Sequence, residues 1–386
     1  MKSLVWFRSD LRMDDNPALK KACQESHEVH AVYLYSKNQH EKHNEANIKI
    51  EFLIQNLFSL EENLQAINIS LTIINSNGFE EDHELISNLC VERGIQKCFW
   101  NNQFGEDERL RDKKTRESLK KFNIDFESFD DQVVYEPGTL KTGQNTPYSV
   151  FTPFKRKWLE NFEMDFLDIE FRYPQKSKTN ISSNIKHFDF YFKKTNKIDI
   201  SLWAAGEIEA HSKLNNFLTN KVFKYAKNRN DPILDGTSRI SPYLALGVLS
   251  PKRCILEALK INSFEFTSGN VGITKWIDEI VWREFYKNIM FSFPKVSRGQ
   301  PFQDYSKKIK WRYCEEEFKA WKEGKTGFPI VDAAMRQLHN EGWMHNRLRM
   351  IVAMFFTKNM LHDWRLGEAY FMQNLIDGDF ASNNGG

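Results

Sequence analysis

The chain has 386 residues, 41% hydrophobic and 27% charged, with a formal net charge of +2. That length favours two or three domains with ample core. The sequence has no apolar run of the roughly eighteen residues needed to cross a bilayer, and Met1 to Asp10 lacks the basic-then-apolar layout of a signal peptide, so a cytoplasmic location is the default.

Five scattered cysteines without a CxxC pair argue against a disulfide framework and a zinc site. The near-balanced charge means that a nucleic-acid partner would need a local positive patch. Aromatic content is the unusual figure: ten Trp and thirty-one Phe, with most of the Trp in the second half. Buried aromatics are usually core, but many Trp in one helical region also suit a flat ligand.

In chain order, the apolar runs Leu4 to Phe7, Val29 to Tyr35, Leu71 to Ile74, Lys97 to Trp100 and Phe126 to Val134 predict strands separated by crossover helices. That rhythm is a doubly wound, Rossmann-like parallel sheet, an α/β domain over 1–134. Asn16-Pro17 predicts a helix start, with Asn capping and Pro at the first helical position. The turn after the first run, Arg8 to Asp15, contains no glycine, so its backbone cannot approach a pyrophosphate as a dinucleotide fingerprint does.

Over 135–203 the period is lost among Pro-Gly, Thr-Gly and Thr-Pro pairs and a Lys- and Asn-rich stretch from Gln175 to Lys186, which predicts a long connector. From 204 to 386 apolar residues recur at helical spacing, predicting an all-α second domain.

Four segments of that domain concentrate chemistry. Gly236 to Pro242 sets Thr237, Ser238, Arg239 and Ser241 ahead of an apolar helix, a phosphate cradle or, more ordinarily, a cap. Trp276, Glu279 and Arg283 share one helix face with Trp282 at its edge, which suits a pocket for heterocycles better than a surface pairing worth ~0.3–0.5 kcal/mol. Gly342 to Met350 opens a helix with Leu348, Ile351, Val352 and Phe355 as a core stripe, and there a lone His345 reads as structural. The closing Asp377 to Gly386 is rich in carboxylates and amides but lacks calcium-loop spacing, so no metal site is expected.

Taken in order, TSRIS at 237–241, WIDEIVWREFY at 276–286, GKTGFPIVDAAMRQL at 324–338, GWMHNRLRM at 342–350 and DGDFASNNGG at 377–386 resemble the photolyase/cryptochrome family. The N-terminal LVWFRSDLRMDDNPAL and VFTPFKRKWL at 150–159 extend the likeness along the chain, nearest in kind to bacterial, folate-antenna cyclobutane pyrimidine dimer photolyases. The resemblance implies an α/β antenna domain, a linker and a helical domain holding FAD in a folded conformation.

By motif, it implies flavin contacts at Tyr225, Thr237, Ser238, Arg239, Ile240, Ser241, Trp276, Arg283, Asn346, Arg349, Asp377, Asp379 and Asn383, with Asn383 facing flavin N5. Such a pocket would be bordered by Arg239, Arg283, Asn346 and Asp377. On the lesion side the likeness implies Arg229, Glu279, Trp282, Asn346, Arg347 and Met350, with Glu279 bonding the dimer. Trp364 and Trp311 match the middle and outer members of a chain that photoreduces FAD.

For a methenyltetrahydrofolate antenna, His43, Glu108, Ser297 and Arg298 fall at matching positions. There Asp107 replaces an amide, and Ser297-Arg298 replaces a Cys-Lys pair. UV-damaged DNA is the implied partner, with no membrane and no obligate protein partner, as a monomer.

Family members continue past the position of Gly386 with a tryptophan beside the flavin and another on the lesion, so a C-terminally shortened chain is expected. The implied activity is light-driven dimer repair. The chief rival is a signalling cryptochrome, against which Asn383 and GWMHNRLRM speak. A nucleotide-binding helical protein whose Trp are merely core is the third reading.

Overall fold

The computed structural model describes residues 1–167, 169–177, 181–192 and 198–385. Its first part runs β1 (Lys2–Phe7), α1 (Pro17–Glu25), β2 (Glu28–Tyr35), α2 (Lys37–Lys42), α3 (Asn47–Gln65), β3 (Leu71–Asn75), α4 (Asp82–Arg93), β4 (Lys97–Asn101), α5 (Glu106–Lys121) and β5 (Asp125–Phe129). The strands form one parallel sheet in the order β3-β2-β1-β4-β5.

Strand periodicity sorts the side chains onto two buried faces. Val5, Phe7, Ala31, Tyr33 and Phe99 enter the main core. Leu4, Trp6, Val32, Cys98 and Trp100 form a second core under α4 and α5. Asn16 caps α1 by accepting the Leu19 N–H at 3.1 Å, with Pro17 at the first position, as its sequence predicts.

Beyond Phe129 the described residues contain no further strand. The predicted fifth strand is therefore shorter than its apolar run. Asp131 turns to Arg12, and the Val134 and Tyr135 amides go to the Glu284 carboxylate at 2.7 and 3.2 Å. Those ties leave the backbone after Phe129 to side chains rather than to a neighbouring strand.

The expected connector is more ordered than its composition suggests. Helix α6 (Phe151–Glu160) carries the fully buried Trp158, whose indole N–H donates to Glu284 at 3.0 Å. Asn184 accepts the Ile73 N–H and donates to the Ile73 carbonyl, both at 2.8 Å, which occupies the open edge of β3. Lys178–Asn180 and 193–197, within the expected connector, lie outside the described residues.

The helical part comprises α7 (Glu207–Asn220), α8 (Tyr225–Asn228), α9 (Ser241–Ala245), α10 (Pro251–Ile261), α11 (Val271–Ser292), α12 (Pro294–Ser297), α13 (Glu315–Glu323), α14 (Pro329–Glu341), α15 (Asn346–Met354), α16 (Trp364–Met372) and α17 (Phe380–Gly385). Its core is continuous with that of the sheet: Phe52 of α3 meets Tyr243 edge to face at 5.3 Å between centroids. Trp321, Met335, Leu348, Val352 and Phe356 form a separate core further out. Leu348 and Val352 of the predicted stripe are buried there, and Ile351 and Phe355 are partly buried against them.

The glycine-free turn after β1 has become a joint between the two parts. Arg12 donates to Asp15 Oδ1 at 2.6 Å, Asp131 Oδ2 at 2.8 Å, the Gly247 carbonyl at 3.0 Å and the Asp15 carbonyl at 3.2 Å, and also to Asp131 Oδ1. All five guanidinium N–H groups are thereby used. Gly247 has φ +65°, and a Cβ there would lie 2.6 Å from Asp10 Cα and closer still to the Ser9 carbonyl. Only glycine permits this approach.

Candidate functional site

Helix α11 supplies the floor of the candidate site. Trp276 is buried against Phe217 of α7, 5.2 Å between centroids, and Phe217 meets Tyr225 at 5.7 Å. Arg283 donates to the Gln132 carbonyl at 2.6 Å and the Leu244 carbonyl at 3.1 Å. Burial lowers its pKa, with Asp379 opposing. One turn further, Lys287 continues the face begun by Trp276, Glu279 and Arg283 and binds Asp379 at 2.9 Å. Lys287 was missed in the sequence although its helical register marks it.

Thr237, Ser238 and Arg239 reach the site from the loop before α9. Arg239 has φ +51°, a left-handed backbone costing on the order of 1 kcal/mol for a non-glycine residue. Its guanidinium lies 4.6 Å from the Trp343 ring centroid and 3.0 Å from a Glu341 carboxylate oxygen. Ile240 is the residue capping α9, without a side-chain cap bond, and Ser241 is its first helical residue. Ser241 Oγ accepts the Trp343 indole N–H at 3.2 Å.

Thr237, Ser238 and Arg239 line a cavity of about 360 Å³ with Lys213, Asn216, Phe217, Lys221 and Asp235. Burial, then the neighbouring Arg239, lowers the Lys213 pKa. Crowded cations beside hydroxyl donors make this basin a natural seat for a phosphate-bearing ligand.

The third wall comes from α15 and the segment before α17. Arg349 grips the buried Asp377 through both carboxylate oxygens at 3.0 and 2.7 Å. Burial would raise Asp379, but Lys287 and Arg283 outweigh it and hold the carboxyl well below its usual range. Asn383 donates to Glu368 at 3.2 and 3.3 Å. His345 precedes Asn346 and caps α15 through Nδ1, 3.2 Å from the Arg347 N–H. Among the described residues its buried Nε2 has no hydrogen-bond partner, so it is less fully satisfied than a structural histidine should be.

Towards solvent, Glu279 pairs with Arg229. Burial raises the Glu279 pKa in spite of that pair. Arg347 reaches Asn230 at 2.6 Å and the Met350 sulfur at 3.3 Å. Trp282 lies flat on Phe151 of α6, 3.7 Å between centroids and 9° between planes, a contact worth ~0.5–1.5 kcal/mol beyond its burial. Phe151 was missed because nothing local in the connector links it to α11. Further out, a bridge between Arg312 and His362 sets Trp311 one residue from the pairing and Trp364 two.

Not all four bordering residues meet one cavity. Arg239 lines the basin, while Arg283, Asn346 and Asp377 line neither it nor the larger cavity described next. Arg283 and Arg349 spend donors on carbonyl and carboxylate oxygens of the chain itself.

The larger cavity, about 400 Å³, opens at the C-terminal ends of β1, β2 and β4. The order of the sheet reverses between β1 and β4, where ligands of open α/β sheets bind. His43, Glu108, Ser297 and Arg298 all border it, as does Asp107, which pairs with Lys42 at 2.9 Å and stands 4.0 Å from His43. Arg298 clasps Glu106 through both carboxylate oxygens. The Ser297 hydroxyl and His40 Nε2 are buried there without hydrogen-bond partners among the described residues. Lys287, Glu368, Gly378 and Asp379 close the cavity from the helical side.

Two family models match the chain: DNA photolyase over residues 3–175, and the FAD binding domain of DNA photolyase over 276–386. The deoxyribodipyrimidine photo-lyases of Salmonella typhimurium and Escherichia coli are each 38% identical over 384 residues, covering 99% of this chain and 80% of theirs. Among solved structures, a bacterial class III photolyase from Agrobacterium tumefaciens aligns with TM-score 0.88 at 31% identity, over 99% of this chain and 78% of that one. A cryptochrome from Synechocystis aligns with TM-score 0.83 at 25% identity, over 99% and 80%.

Proposed function

This chain belongs to the DNA photolyase family, and from that premise we propose that it repairs cyclobutane pyrimidine dimers in DNA with light, using FAD. Splitting the dimer takes an electron that no side chain can give; reduced FAD, when bound, supplies it on excitation. The protein's share is to hold dimer and cofactor close and to exclude water.

The donor set fits FAD. Thr237, Ser238 and Arg239, with Lys213 behind them, offer hydroxyls and cations to a pyrophosphate, and Tyr225, Ile240, Ser241 and Trp276 complete that end. Arg283, Asn346, Arg349, Asp377, Asp379 and Asn383 would hold the ring end. Lys287 and Arg283 hold the Asp379 carboxylate ionised, so it accepts bonds rather than donates them.

Glu279 carries the lesion reading. It sits between Arg229 and the Trp282 platform, and its pKa is raised by burial. From that position Glu279 would hydrogen-bond the dimer and steady the charge that develops on it. Arg229, Asn346, Arg347 and Met350 line the same side, and Trp282 offers a flipped-out, poorly stacked dimer an aromatic face. Trp364 and Trp311 would serve as the middle and outer members of a chain that carries electrons towards the flavin.

The sheet-end cavity would take a methenyltetrahydrofolate antenna against His43, Glu108, Ser297 and Arg298, with the Ser297 hydroxyl to donate and His40 Nε2 to accept, both unpartnered among the described residues. The working divisions are an antenna domain over 1–134, a linker over 135–203 and a FAD domain over 204–386, acting as a monomer in the cytoplasm. Among the described residues no helix is long and apolar enough to cross a membrane.

The test is repair of a dimer-containing oligonucleotide under blue light. Glu279→Ala should cut the yield of repair several-fold with bound FAD unchanged; loss of FAD instead would make Glu279 a structural residue, and a fully active variant would remove it from the reaction.

A further inference from the structure

The segment Asp377-Gly378-Asp379 is fixed by three cations from three elements. Arg349 of α15 holds Asp377 and Lys287 of α11 holds Asp379. The third crosses from the sheet-bearing half. Lys49, in the first turn of α3, places Nζ 2.8 Å from the Gly378 carbonyl oxygen.

Lys49 is only 8% exposed, and its ammonium is itself anchored, 2.7 Å from Glu45 Oε1. The other Glu45 oxygen receives His40 Nδ1 at 2.6 Å. Burial would raise Glu45, yet Lys49 and His40 outweigh it and keep the carboxyl far below its ordinary range, so the pair is ionic. A Lys and a Glu four residues apart can pair on any helix surface with little desolvation. Here Lys49 is buried and Glu45 half-buried at the cavity wall instead, and the ammonium spends a further donor on a carbonyl of the other half.

The geometry matters because Gly378 sits between two carboxylates with different holders. A fixed Gly378 carbonyl fixes the peptide plane leading into Asp379. Asp379 in turn receives the Asn383 amide N–H on its carbonyl at 2.8 Å, which sets the first turn of α17.

We propose that Lys49, anchored by Glu45, is a positioning residue for the flavin: by pinning the Gly378 peptide it sets where Asp379 and Asn383 present themselves. The proposal rests on the reading that Asp377, Asp379 and Asn383 hold FAD. No contact between Lys49 and the cofactor is required.

The experiment is titration of the flavin-stripped protein with FAD, together with the visible spectrum and reduction potential of the bound flavin. Lys49→Met should weaken FAD roughly tenfold, as expected for a lost charge-assisted bond to a carbonyl, and should alter the vibronic structure of the flavin band. Lys49→Arg should restore most of both. A purely structural lysine would lower the melting temperature while leaving spectrum and potential unchanged, and that result overturns the proposal.

Asp379→Asn is measured alongside. If it weakens FAD while Lys49→Met does not, the positioning role alone falls; if neither changes FAD affinity, the assignment of this segment to the flavin falls first. Should Lys49→Met not fold, Glu45→Gln leaves the ammonium without its anchor and is expected to give a smaller shift in the same direction; no shift there counts equally against the proposal.

Discussion

Arg12 and Arg239 are both arginines facing carboxylates, yet they do different work. Arg12, with a side chain 2% exposed, uses every donor on acceptors within the chain. Arg239, with a side chain 39% exposed, gives one donor to Glu341, lies over Trp343 and lines a cavity. Saturated, buried charge is architecture; charge with donors to spare beside a cavity is binding capacity. The contrast teaches more than either residue's identity, because both appear in the sequence simply as Arg among polar neighbours.

The comparison breaks first at Arg12. Arg12→Met leaves Asp131 buried without its cation and Asp15 with only the more distant Arg253, and should cost ~3–5 kcal/mol in denaturant unfolding, while FAD bound per folded molecule stays the same. A loss below about 1 kcal/mol would mean that the saturated network is not what joins the halves.

A second probe is the buried carboxyl at the same joint. Burial pushes Glu284 from its ordinary 4.5 up to about 7, against three N–H donors that favour the ionised form. Between those values the folded chain keeps a proton that the unfolded chain has released, so stability is greatest at the acidic end and falls as pH rises through the window. Glu284→Gln should flatten that slope, about 3 kcal/mol at most, in unfolding measured from about pH 4.5 to about pH 7.5. A slope unchanged in the variant would assign the effect elsewhere.

The smallest effect on stability belongs to the binding side. Arg239→Gln should change unfolding free energy by no more than about 1 kcal/mol, yet weaken FAD about tenfold in titration of the flavin-stripped chain. Equal losses in both would erase the distinction between the two arginines.

The sheet was legible because β1 to β4 are short, mostly apolar runs largely buried on both faces, and such runs have few alternatives. The fifth run misled at its end: Gln132 to Val134 is extended enough to read as strand, but its amide and carbonyl bonds go to Glu284 and Arg283, more than a hundred residues away. Trp276, Glu279 and Arg283 were legible as one face because helical spacing is local. The Phe151–Trp282 stack and the Lys49–Gly378 tie were not, since each joins segments with no shared period. Asn184 on the edge of β3 escaped for a related reason: a side chain replacing a strand leaves no pattern.

Gly247 bears on how such proteins can be recombined. Because the β1 turn abuts a backbone with no room for a methyl group, and the apolar interior runs through both halves without a seam, the exchangeable unit is larger than the α/β half. A chimera grafting that half from a relative must carry a matching turn and a partner surface equally bare, or its two portions will stand apart and expose oily surface to water.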